Sequence, residues 1–159
     1  ETDFDSIEVG LRELKMSNAQ IAMTLAFRHR LGSTPLEAPE GILRRYRAVL
    51  GESRVSQLNI DRALANAFDD SREVEFDDFI KRINDLPRLT AGEKSLVDGL
   101  WLMDFTGMSQ GRRLGRLKEW LHLLQVERNL GDISEIESLL CTLSWQHGDE
   151  LSWPRLSWP

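Results

Sequence analysis

Apolar residues recur three and four positions apart in segment after segment of this chain, and no stretch of four to eight residues alternates apolar with polar between turn signals. That spacing lines one stripe of a helix, whereas a half-buried strand needs a period of two. A first helix is expected over about 3–15, carried by Phe4, Ile7, Leu11 and Leu14. Ser17 caps a second that runs through Leu31, with Ile21, Met23, Leu25 and Phe27 as its apolar members, and Gly32 ends it. Pro39 and Glu40 open a third, which stops at Gly51. A fourth is expected over about 56–68 behind Ser56. A fifth covers about 72–84, with Val74, Phe76, Phe79, Ile80 and Ile83 buried, and Pro87 breaks it.

Thr90 and Glu93 match a capping box, so a sixth helix is expected over about 91–105 through Leu96, Val97, Leu100, Trp101 and Met103. Ser109 caps a seventh to about Val126. Asp132 caps an eighth over 133–145, with Ile136, Leu139, Leu140 and Leu143 on one face. The fold class is therefore all-α, a single-domain bundle of seven to eight helices over 1–145 followed by a tail over 146–159. With 159 residues, 41% of them hydrophobic, the chain is long and apolar enough to close a core.

Charge and motif content narrow the function classes. The formal net charge of −6 speaks against general nucleic-acid binding, which draws on a net basic surface to displace counterions from phosphates. Cys141 is the one cysteine, so no internal disulfide forms, and a reducing, cytoplasmic setting is the simplest. Its place beside Leu139, Leu140 and Leu143 predicts a buried, inert thiol. No run of about 18 apolar residues is present to span a membrane. Glu1 stands where an initiator Met would, which reads as a processed or trimmed chain.

His29, His122 and His147 lack metal-ligand spacing, and no glycine-rich nucleotide loop occurs, so neither an enzyme nor a cofactor is expected. The acidic stretch Asp69, Asp70, Glu73, Glu75, Asp77 and Asp78 reads as a solvated helix face opposite Phe76, Phe79 and Ile80.

Two features remain. Arginines cluster at Arg28 and Arg30, at Arg44, Arg45 and Arg47, and at Arg112, Arg113 and Arg116. Gathered at one end of a bundle they would attract an anionic partner, since the planar guanidinium fork fits carboxylate and phosphate. The competing reading is a solvated face paired with nearby Glu. The second feature is the tail, in which Leu151-Ser-Trp-Pro154 is repeated as Leu156-Ser-Trp-Pro159. Trp153 and Trp158 either dock on another chain or fold back over the bundle's own groove, and both readings stand at this point.

The segments 21–50 and 96–126 resemble each other: an apolar helix, a glycine-containing turn, then an Arg-bearing helix. With Val74–Leu86, Leu89–Lys94 and Leu96–Phe105, this pattern resembles the TerB-like family, named for a bacterial tellurite-resistance protein. The resemblance covers about 21–126 and implies a pseudo-twofold repeat of helix–turn–helix units. It also implies a cation site built from acidic residues at the turn of each repeat. Those acids are missing here. The second turn, Thr106–Arg112, has no carboxylate, and the first, His29–Ser33, has only Glu37 and Glu40 nearby. A hard cation needs several converging oxygens, so no metal is expected. The expectation is a non-catalytic binding or adaptor module for a protein partner or acidic ligand, with homodimerisation open. The alternative is an ion-responsive, cation-binding protein.

Overall fold

A computed structural model describes residues 2–68 and 72–158; Asp69 and Asp70 of the acidic stretch lie outside the described residues, as does the side chain of Phe4. Among the described residues the chain is all-helical, with no strand. Its helices are α1 (Thr2–Glu13), α2 (Asn18–His29), α3 (Glu40–Leu50), α4 (Ser53–Ala67), α5 (Glu73–Asp85), α6 (Gly99–Thr106), α7 (Arg112–Arg128) and α8 (Ile133–Thr142), followed by a 3₁₀ turn, Glu150–Ser152. They divide into two compact units. One gathers the chain up to Thr34 with Glu52–Val74; the other gathers Pro35–Gly51 with Glu75–Trp158, the tail included.

In the first unit α1 packs on α2. Ser17 caps α2 as expected, and its partner in a capping box is Gln20. The helix ends two residues early, with Arg30 as its C-cap. Helix α4 starts at Ser53 rather than behind Ser56, because Glu52 already has helical dihedrals directly after the positive-φ Gly51. Buried Asp61 on α4 organises the loop after α2. Its carboxylate accepts the Gly32 amide at 2.8 Å, the Thr34 amide at 3.0 Å, the Thr34 hydroxyl at 2.5 Å and Gln57 Nε2 at 3.0 Å. Gln57, fully buried, also donates to the Arg30 carbonyl. Four donors on one carboxylate replace the water it loses on burial. Arg62 and Asn66 bond the Glu73 carboxylate in the same unit and hold its pKa below the usual glutamate range.

The second unit is built on α7, which buries Leu114, Leu117 and Leu121 along one stripe and Leu123, Gln125 and Val126 beyond it. Helix α3 lies against α7 so closely that a Cβ on Gly41 would stand 2.9 Å from the Glu127 carbonyl oxygen. That carbonyl also accepts from Arg44 Nη1 at 3.0 Å. Gly41 therefore admits the contact and Arg44 fastens it. Val97, Leu102, Ile136, Leu139, Leu140 and Trp153 complete the core around α7. Tyr46 on α3 meets Phe79 on α5 edge-on, ring centroids 5.5 Å apart.

The sixth helix departs most from expectation. Thr90 and Glu93 form no capping box, and the helix begins only at Gly99, where the Asp98 side chain accepts the Trp101 amide at 2.9 Å. Residues 93–97 find their partners elsewhere. Buried Gln125 accepts the Leu96 amide at 2.9 Å and donates to the Lys94 carbonyl at 2.9 Å, while His122 Nε2 lies 2.9 Å from the Glu93 carbonyl. A side-chain amide from α7 thus supplies the bonds a helical turn would otherwise make, and Gly92 turns the chain at φ +73°. Gly107 closes α6 in the left-handed conformation.

Three smaller corrections follow from helix geometry. Val74 is 79% exposed, on the outer side of the α5 stripe formed by Phe76, Phe79 and Ile83. Helix α8 ends at Thr142, with Leu143 extended. Cys141 is exposed, not buried. Asp132 caps α8 in a capping box with Glu135, and the Ser134 hydroxyl and Glu135 amide hold its carboxyl below the ordinary aspartate range. The helix pairs expected to repeat are unequal: α2 and α3 have 12 and 11 residues, α6 and α7 have 8 and 17.

Removing the carboxylate of Asp61 strands the donors at Gly32, Thr34 and Gln57. Asp61→Ala is expected to lower stability by about 2–3 kcal/mol in urea unfolding, the range for hydrogen bonds to a charged group with buried donors left behind. A change below about 0.5 kcal/mol, the size of an ordinary surface substitution, would mean the loop is held by something else.

Candidate functional site

Most of the arginines singled out from the sequence turn inward to the protein's own backbone. Arg28 and Arg30 sit at the end of α2 in the first unit, half-buried. The remaining six belong to the second. Arg44 bonds the Glu127 carbonyl and the Glu40 carboxylate. Arg45 Nε donates to the Ser157 carbonyl at 2.8 Å, its Nη1 lies 3.5 Å from Glu127, and its guanidinium sits 5.8 Å from the Trp158 ring centroid. Arg113 donates to the carbonyls of Trp145 at 2.8 Å and Gly148 at 3.1 Å, pairs with Glu150 at 3.3 Å, and stacks 4.8 Å above Trp153. Arg116 donates to the Glu150 carbonyl at 3.2 Å, to the Trp153 carbonyl and to Glu119.

The tail therefore folds back over its own unit. Trp153 is 6% exposed, beside Trp120 with ring centroids 5.5 Å apart, and Trp158 stands edge-on to Tyr46 at 5.1 Å. Beyond α8 the chain is irregular apart from one 3₁₀ turn, so its carbonyls lack regular partners. A guanidinium with five donors in a fixed fork can serve two or three carbonyls at once while its charge faces an aromatic ring.

This fold-back forms one wall of an open cavity of about 480 Å³ lined by Arg45, Arg112, Arg116, Leu151, Trp153, Pro154, Arg155 and Ser157. Among the described residues four guanidiniums and no carboxylate face it. Arg45 and Arg116 are partly neutralised by Glu127 and Glu119. Arg112 and Arg155 are exposed and meet no acid among the described residues. Arg112 is also the first residue of α7, where Gly111 offers no side-chain cap and the first turn holds no acid. Basic residues at the positive end of a helix dipole oppose the dipole, a local conflict that a bound anion would relieve.

Arg155 was not among the residues the sequence singled out. Its signal is that it alone interrupts the two Leu-Ser-Trp-Pro copies, a charge between two segments that carry none.

The turns compared with acidic cation sites are occupied differently. The first, His29–Ser33, is held by Asp61 through the Gly32 amide, and Glu40 is engaged with Arg44. At the second, the Thr106 hydroxyl donates to the Leu102 carbonyl and accepts the Met108 amide. Among the described residues no three His, Cys, Asp or Glu side chains gather as a metal would need, and no helix is long and apolar enough to cross a membrane. No family model, curated protein or solved structure matches the chain, so the TerB-like resemblance rests on its motif residues alone.

Because Trp153 is packed under Arg113 and against Trp120, Trp153→Ala is expected to cost about 3–5 kcal/mol, the range for truncating a buried large aromatic. Chemical denaturation measures it. Stability within about 0.5 kcal/mol of the parent, as at an ordinary surface position, would place Trp153 outside the core.

Proposed function

We propose that the chain is a non-catalytic binding module, an adaptor that takes a protein partner or smaller ligand through an anionic group at the groove of Arg45, Arg112, Arg116 and Arg155. The observation that carries this reading is the pair Arg112 and Arg155, two cations facing one cavity with no acid among the described residues to answer them. On a chain of net charge −6 such a local excess of positive charge draws anions that the rest of the molecule repels.

The lining also favours binding over catalysis. Its charged groups among the described residues are guanidiniums, which hold their protons throughout the physiological range and so cannot serve as general acids or bases. The exposed Leu151 and Pro154 add apolar surface for the part of the partner that bears the charge. A TerB-like scaffold whose turns hold no acidic cage is compatible with this use. A cytoplasmic setting, with which the single cysteine is compatible, is part of the proposal.

The test is calorimetric titration at low salt with an oligoglutamate peptide and with inorganic phosphate, on the parent chain and on the double variant Arg112→Glu, Arg155→Glu. Both side chains are exposed, so the variant should melt as the parent does. At least one anion is expected to bind the parent and to lose on the order of tenfold or more in affinity in the variant, as removal of charge-assisted contacts implies. Equal affinities, or no binding of either anion, would contradict the proposal. Micromolar binding of calcium, magnesium or zinc would count for a cation-responsive protein instead.

A further inference from the structure

Resting on that reading of the groove, we infer that the anionic group it takes is a phosphomonoester dianion rather than a carboxylate. Charge is the first argument. Of the four guanidiniums, Arg45 and Arg116 already have Glu127 and Glu119 beside them, which leaves Arg112 and Arg155 as two cations uncompensated among the described residues. A phosphate monoester carries close to two negative charges at neutral pH, whereas a carboxylate or a phosphodiester carries one. Only the monoester brings the groove to neutrality with a single group.

Donor geometry is the second argument. The cations that line the cavity are all arginines and none is lysine. The forks of Arg112 and Arg155 have no protein partner among the described residues, so each can present two parallel N–H groups to phosphate oxygens. Ser157 lies on the same wall. Arg112 heads the 17-residue helix α7 without a side-chain cap, so the positive end of that helix lies on the same side. Size is the third argument. At about 480 Å³ the cavity holds a phosphate together with several atoms of whatever carries it, against the indole of Trp153 and the ring of Pro154.

Two sources share this chemistry: a phosphorylated side chain on a partner, and a free phosphate compound. The experiment titrates the parent chain with a phosphoserine peptide, with the same peptide carrying Glu in place of phosphoserine, and with inorganic phosphate. It then repeats the tightest titration on Arg112→Lys, which keeps the charge and removes the fork.

The phosphoserine peptide is expected to bind at least about tenfold more tightly than its Glu counterpart, and Arg112→Lys to weaken it severalfold with the melting temperature unchanged. Tighter binding of the peptide than of inorganic phosphate identifies a phosphorylated side chain as the source. Equal binding of the two identifies a free phosphate compound. Equal affinity for the phosphoserine and Glu peptides overturns the phosphomonoester assignment and leaves the anionic groove standing. Binding of none of the three overturns both.

Discussion

Guanidinium groups bonded to main-chain carbonyls are the interaction on which this structure depends. Arg45, Arg113 and Arg116 hold the tail through the carbonyls of Ser157, Trp145, Gly148, Glu150 and Trp153. The same device recurs elsewhere in the second unit. Arg47 donates to the carbonyls of Leu86 and Pro87 after α5, and Arg82 to those of Leu36 and Ala38 before α3. Irregular backbone packed on a helical core loses water from its carbonyls and must find donors. Helix interiors cannot supply them, because their own amides are taken. Long cationic side chains projecting from the helix surface can.

That solution also places the candidate site. The close approach of α3 to α7 at Gly41 brings Arg45 and Arg116 to the same run of tail. Once the tail is drawn down, its one arginine, Arg155, joins Arg112 at the cavity edge. Six of the second unit's arginines are committed to carbonyls, and these two are not among them. The division between structural and available cations follows from where the tail's carbonyls fall.

The helices themselves were largely legible. Ser17 and Asp132 act as caps, Gly51 and Pro39 bound α3, and the stripes in α5, α7 and α8 are the buried ones. The failures each trace to a partner distant in sequence or to helix rotation. Thr90 and Glu93 have the local form of a capping box, but Gln125 on α7 satisfies the backbone that follows, and local spacing carries no sign of it. Cys141 follows buried Leu140 in sequence, yet one helical step rotates it about 100° out of the stripe. The Arg clusters were visible as clusters. Their use was not, since the same fork suits a carbonyl pair, a carboxylate or a phosphate, and only the path of the tail separates these.

The central claim is that the tail is strapped to its own chain. Nuclear Overhauser spectra of the uniformly labelled monomer at low concentration test it most directly. The account predicts cross-peaks from the Trp153 ring to Trp120 and to the Arg113 side chain, and from the Trp158 ring to Tyr46. Random-coil shifts for both indoles with none of these cross-peaks would contradict it.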